Sequence, residues 1–334
     1  MISETYPEDY LDVDFLIKTL FDYVYIDIDK CYVIQPLDYN KITISDIKLV
    51  LDKPRQKKLV NSIFNTKIEW LRTSAGTITF KRPMDIYSTG LYLKIIKKDE
   101  DQFNINASVN MNAYMTWLLS DLVITRKTKG ILLNMMNVDI DFELLEDFYS
   151  SIPQISSDFL DVLNKKDKVI NITIFEYFFK RETLSKIIID LTWIQLKAII
   201  FQVAHTLAVI QEKYKGFRHN FLFTYSLGLY IKKPKINTYR LDSKEIKMND
   251  EGYEVKITAF SKSYIPKIAE NNGIMDANKE LNNIIDLINF LEDAKINVKD
   301  EIKKNISILI NNIEKNNKNI LLSEIIMNKD FLNI

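Results

Sequence analysis

Residues 216–231 read GFRHNFLFTYSLGLYI. Upstream, residues 192–214 carry Leu196, Ile199, Ile200, Val203, Leu207, Ile210 and Tyr214. That is an i, i+3/i+4 apolar stripe, so the spacing predicts a long helix. Thr192 is a suitable N-cap for it and Gly216 a suitable stop. Downstream, apolar runs predict strands at about 227–232 and 253–260, joined by a charged, hairpin-like segment. The quoted stretch is therefore a helix-to-strand loop that carries His219 and Asn220 and is rich in aromatics: Phe221, Phe223 and Tyr225.

Working outward, KVINITIFEYF at 168–178 is the clearest buried strand, being apolar and β-branched. ASVNMNAYMTWLLSDLVIT at 107–125 predicts an amphipathic helix. Residues 66–96 have strand character, with Gly76 and Gly90 at turn positions. Residues 1–22 and 45–64 read as helices, 23–34 as a strand, and 140–164 as short helices around Pro153. Residues 277–314 read as helical, and the tail 315–334 as one more short helix.

Composition excludes several classes. A chain of 334 residues, 47% hydrophobic, can bury a large core as one domain or two lobes. Lys+Arg and Asp+Glu balance at 45 each, so there is no basic excess of the kind that marks nucleic-acid binding. No continuous apolar run approaches a bilayer-spanning length, and no membrane span is expected. The opening MISETYPEDYLDVDF has no basic-then-apolar signal pattern. Cys31 is the single cysteine, which fits a reducing compartment, and two histidines with one cysteine make no zinc set. Glycine is scarce, seven in the chain where about 7% is usual. No GxGxxG or GxxxxGK[ST] occurs, which argues against a Rossmann nucleotide fold and a P-loop.

The quoted loop resembles a protein-kinase catalytic loop, His-x-Asp-Leu-x-x-x-Asn followed by an apolar strand, with His219 and Leu222 in register. The match is closest to the protein-kinase-like proteins of large cytoplasmic DNA viruses. It is carried by Gln202, Thr206, Leu207, Ile210, Gln211, Tyr214, Phe217, Arg218, His219 and Asn220. INITIFEYF around Glu176 resembles their hinge strand, and MNAYMTWLLSDLV at 111–123 their small-lobe helix. The resemblance covers about 90–265 and is specific over 169–261. It implies an α+β, two-lobed kinase-like fold. The expected division is an N-terminal region with a kinase-like lobe over 1–168, and a mainly helical, trimmed C-lobe over 169–334.

Carried over by position, the resemblance also implies an emptied site. Phe221 stands where the family has its catalytic Asp, Ser226 where it has the metal-binding Asn, and Ala259, in Ala259-Phe260-Ser261, where it has the metal-binding Asp. A kinase needs the first to orient the substrate hydroxyl and the others to hold magnesium, and magnesium demands oxygen ligands. Lys94, in LYLKII, resembles the strand lysine that pairs with phosphates, but 107–120 contains no acidic partner for it. The expectation is a pseudokinase, not an enzyme, with no bound cofactor and Mg-ATP held weakly or not at all. It would act as a scaffold or structural subunit among other viral proteins, in the host cytoplasm or the virion.

The other constellations read as structural. Asp27 and Asp29, like Asp139 and Asp141, share a strand face; such pairs could bind a cation, but solvated strand edges are far more common. His205 reads as a packed core histidine, and His219 as bonded to nearby backbone. Ser226 lacks a base partner for a nucleophilic role. Lys232, Lys233 and Lys235 around Pro234 read as a solvated turn. Two alternatives to a scaffold stay open. One is a divergent nucleotide-handling enzyme anchored by Lys94, with Glu176 or Asp242 as substitute ligands. The other is nucleic-acid binding through the basic-aromatic segment 225–240.

Overall fold

The computed structural model describes residues 43–48, 51–64, 69–74, 77–83, 88–97, 104–145, 168–177, 181–241, 243–272, 274, 284–316 and 322–327. The expectations for residues 1–42, for the segment around Pro153 and for Asp242 lie outside them.

The fold is α+β. Its first part is a five-stranded antiparallel sheet of β1 (Glu69–Ser74), β2 (Thr77–Pro83), β3 (Ser88–Lys97), β4 (Asn134–Asp141) and β5 (Lys168–Tyr177), in the order β1-β2-β3-β5-β4. β5 pairs along its whole length with β3, so the sheet extends past residue 168 to Tyr177. Two short helices, α1 (Ile44–Ile47) and α2 (Lys53–Phe64), replace the single helix expected over 45–64. Pro54 sits in the first turn of α2, where its missing N–H costs nothing. Asp52 accepts the Arg55 amide at 3.0 Å and caps that turn.

Helix α3 (Ser108–Ile124) packs against β4 and against the turn at Phe260–Lys262. It is buried on nearly all sides, from Met111 and Tyr114 through Leu118, Leu119 and Leu122, rather than amphipathic as the sequence predicts. Neighbours on several faces require this, and its polar groups are accounted for. Ser120 Oγ donates to Thr116 O at 2.6 Å and accepts the Asn134 amide at 3.0 Å, which fixes the start of β4. Asp139 and Asp141 are ion-paired to Lys48 at 3.0 Å and Lys53 at 3.5 Å. The sequence reading missed the buried Lys48, which also donates to Asn110 Oδ1 at 2.8 Å.

The second part is built on α5 (Trp193–Lys213), preceded by β6 (Arg181–Thr183) and the single turn α4 (Leu184–Ile187). Thr192 and Gln195 form a reciprocal capping box at its start, and Gly216 just beyond its end has φ +77°. Among the described residues, α5 is long and apolar enough by length and composition to cross a membrane, but most of it is buried within the protein. Its polar members are paired internally. Gln202 donates to Tyr253 O at 2.9 Å and accepts the Val255 amide at 3.1 Å.

Strands β7 (Leu227–Ile231) and β10 (Tyr253–Ile257) pair antiparallel, with β6 on the far side of β7. Between them the chain makes the hairpin β8 (Ile236–Leu241) and β9 (Lys244–Asn249). The expected 277–314 helix is two, α6 (Ile284–Ile296) and α7 (Asp300–Asn316), broken at Asn297 and Val298. The short α8 (Leu322–Met327) packs on α5.

The two parts meet at Gly130. Its carbonyl accepts the Ile257 amide at 2.7 Å, and Ile131 bridges Ile257 in parallel. A Cβ on Gly130 would stand 1.8 Å from Thr206 Oγ1 on α5, so no side chain fits.

Candidate functional site

The loop after α5 is anchored from the far side of the sequence. Asp286, in the first turn of α6 and 1% exposed, accepts the His219 amide at 2.8 Å on Oδ2 and the Asn220 amide at 2.9 Å on Oδ1. The Arg218 guanidinium, also buried, donates to the same carboxylate at 3.1 Å. Two turns further along α6, Asp293 accepts the Thr224 amide at 2.7 Å. The i, i+7 spacing places both carboxylates on the loop-facing side of α6. Sequence reasoning missed this pair. The available signal was a single Asp among Ile284, Ile285, Leu287 and Ile288, an acidic group on an otherwise apolar face.

His219 is fully buried and, as expected, bonds to backbone. Its Nε2 lies 3.0 Å from Thr258 O, and its Nδ1 accepts the Phe221 amide at 3.3 Å. That pattern requires a neutral ring with the proton on Nε2. Burial lowers its pKa, opposed by the Asp286 charge and the Thr258 carbonyl. The ring packs on Phe260 with centroids 5.1 Å apart. Phe260 N donates to Asn112 Oδ1 on α3 at 3.0 Å, which ties the 259–261 segment to the first part of the fold.

The structure brings Phe221, Ser226 and the Ala259 segment together around this frame. Ser226 is buried, accepts the Phe223 amide at 2.8 Å, and lies 2.7 Å from Phe223 O. Its hydroxyl is used within its own turn. Its carbonyl accepts both the amide and the hydroxyl of Thr258, at 2.9 and 2.8 Å. Ala259 adopts the left-handed conformation, φ +67° and ψ +49°. Asp and Asn ease that conformation through local hydrogen bonds, which alanine cannot make. Phe221 and Tyr225 are exposed at 36% and 47%, and with Phe223 they form one aromatic cluster, ring centroids 5.3–5.5 Å apart, in which Phe221 meets the other two edge-on and Phe223 stacks on Tyr225. Phenylalanine and alanine offer neither a proton acceptor nor a metal ligand.

Lys94 lies on β3, its backbone opposite Thr77 on β2 and Asn171 on β5. Its side chain, like that of Glu176, lies outside the described part. Among the described residues, no group of three or more His, Cys, Asp or Glu side chains is placed to hold a metal ion. His205 is a core histidine. Its Nε2 lies 3.1 Å from Arg240 O, its ring packs between Phe201 and Tyr239, and burial lowers its pKa against that backbone bond. The lysines around Pro234 are more than a solvated turn: Lys232 bridges the buried Asp250 and Glu254, each at 3.0 Å.

No family model matches the chain. Over 226 residues it is 29% identical to the uncharacterized protein R402 of Acanthamoeba polyphaga mimivirus, a match that takes in 66% of this chain and 27% of that protein. The chain thus spans about a quarter of that relative's length. Among solved structures it is similar to WaaP in complex with acyl carrier protein (TM-score 0.42, 11% identity, 85% of this chain and 93% of that one). A kinase domain gives a TM-score of 0.33 at 10% identity over 60% of this chain and 51% of the other.

Proposed function

We propose that the chain is a catalytically inactive, kinase-like protein that serves as a scaffold or interaction subunit of a viral assembly. The observation that carries this reading is the contrast within one loop. The packing frame of Arg218, His219, Phe260 and Asp286 is complete, and every buried partner in it is hydrogen-bonded or stacked. The positions that the resemblance assigns to the catalytic and metal-binding groups hold Phe221, Ser226 and Ala259. A kinase-like loop transfers phosphate mainly by positioning and by electrostatic stabilisation through carboxylate and metal. None of these three residues supplies either. The similarity to a mimivirus protein supports the viral setting. The exposed aromatic cluster of Phe221, Phe223 and Tyr225 is the surface on which the scaffold role rests, because clustered exposed aromatics mark interaction sites.

The test is phosphotransfer. The chain is incubated with labelled ATP, magnesium or manganese, and generic protein and small-molecule acceptors. Transfer no faster than buffer is expected. Label transfer that disappears in a Lys94→Ala variant would replace this reading with the nucleotide-handling enzyme.

A further inference from the structure

The two carboxylates that anchor the loop are not used equally. Asp286 accepts on both oxygens, from the His219 and Asn220 amides. Asp293 is half-buried and accepts the Thr224 amide on Oδ2 at 2.7 Å. Its Oδ1 has no partner among the described residues. Tyr225 follows Thr224 in the chain, and its phenol pKa is raised by burial and then by the Asp293 charge. The open carboxylate oxygen therefore belongs to the same surface as the aromatic cluster of Phe221, Phe223 and Tyr225. Ile296, on the same side of α6 as Asp293, is 72% exposed and extends the apolar ground.

No cation of the described residues serves this surface. None of their lysines or arginines stands over the three rings or pairs with Asp293. The basic groups on the neighbouring elements are engaged elsewhere: Arg218 is buried against Asp286, and Lys295 on α6 pairs with Glu292. Three kinds of cover differ in what they do to Asp293. A purely apolar partner would desolvate a carboxylate oxygen without pairing it, which is costly. Nucleic acid stacks its bases on exposed aromatics but brings phosphates against the same negative charge. A guanidinium suits both halves of the surface: its plane stacks on ring faces and its N–H groups donate to a carboxylate.

We propose that Phe221, Phe223, Tyr225 and Asp293 together form a docking site for an arginine-bearing segment of a partner protein. The site rests on the scaffold reading above and gives the partner's chemistry. The guanidinium lies against the exposed rings and donates to Asp293 Oδ1, and the methylene stem of the arginine packs on the apolar surface that Ile296 extends. Charge complementarity selects this occupant: the surface offers ring faces and one open carboxylate oxygen, both of which attract a cation.

The probe is a fluorescein-labelled peptide of alternating arginine and glycine, titrated with the full chain and read by fluorescence anisotropy. Two peptides of the same length carry lysine or citrulline in place of arginine. The arginine peptide should bind, the lysine peptide bind more weakly, and the neutral citrulline peptide not bind. Asp293→Asn keeps an acceptor for the Thr224 amide and removes the charge. It should weaken binding about tenfold, and Tyr225→Ala about threefold. Glu143→Gln makes the same charge change at an exposed position in the first part of the fold and should leave binding unchanged. No binding of the arginine peptide, equal binding of the citrulline peptide, or binding unchanged in both Asp293→Asn and Tyr225→Ala overturns the proposal. Tighter binding of a single-stranded oligonucleotide, lost in Tyr225→Ala, overturns it in favour of base stacking. Self-association of the chain, lost in the same variant, overturns it in favour of a second copy. The peptide has no hydroxyl side chain to accept phosphate, so the two readings fail separately. Phosphotransfer with peptide binding intact overturns only the inactive reading, and absent peptide binding without phosphotransfer overturns only the docking site.

Discussion

Asp286 is the residue on which the loop depends most. It gathers two backbone amides and a guanidinium in a buried setting. Its removal takes from the buried Arg218 the carboxylate that it meets at 3.1 Å. Losing one member of a buried pair costs about 3–5 kcal/mol, so Asp286→Ala should lower the denaturation midpoint by that equivalent, read by urea unfolding. Ala259 is the opposite case. It holds a left-handed conformation, φ +67°, without the side chain that would ease it. Ala259→Gly should stabilise the fold by about 0.5–1 kcal/mol, net of glycine's extra freedom when unfolded. A loss of stability there would mean that the methyl group packs more than it strains.

At the scale of elements, the seam between the two parts is set by contact distance. α3, the Arg126–Gly130 segment, α5 and β10 converge where Gly130 touches Thr206. Gly130→Ala forces a methyl into occupied space and should destabilise by about 1–3 kcal/mol, measured in the same unfolding series. The elements that were plain in the sequence are those whose pattern is strong in itself. α5 has its stripe and its Thr192 cap, and β5 its unbroken β-branched run. The face count was not plain, because apolar spacing shows that a helix is buried on one side and says nothing of how many neighbours surround it. Only the VDID end of β4 read as a strand, since NMMNVDID mixes amides, methionines and acids that become sensible only beside Lys48, Asn171 and α3. The site was legible in its local half. His219 and Ser226 bond to Phe221, and Ser226 also to Thr258, which precedes Ala259. Asp286 depends on contacts between residues 66 to 68 positions apart, which no local pattern encodes.

For the whole molecule, the two histidines make stability depend on pH. Burial lowers the pKa of both His205 and His219 in the folded state. The unfolded chain takes up protons near pH 6.5 while the folded chain resists them, so stability falls as pH drops below that value. The slope is at most about 1.4 kcal/mol per pH unit for each histidine. Unfolding followed from pH 7.5 to 5 should show this loss, and His205→Gln should flatten it. The central question is whether the chain binds a nucleotide at the Phe221 loop. Calorimetric titration of the 334-residue chain with ATP, with and without magnesium, answers it. No magnesium-dependent heat is expected. Micromolar binding that requires magnesium would contradict the proposed emptied site, and would return Lys94 to the role of a nucleotide anchor.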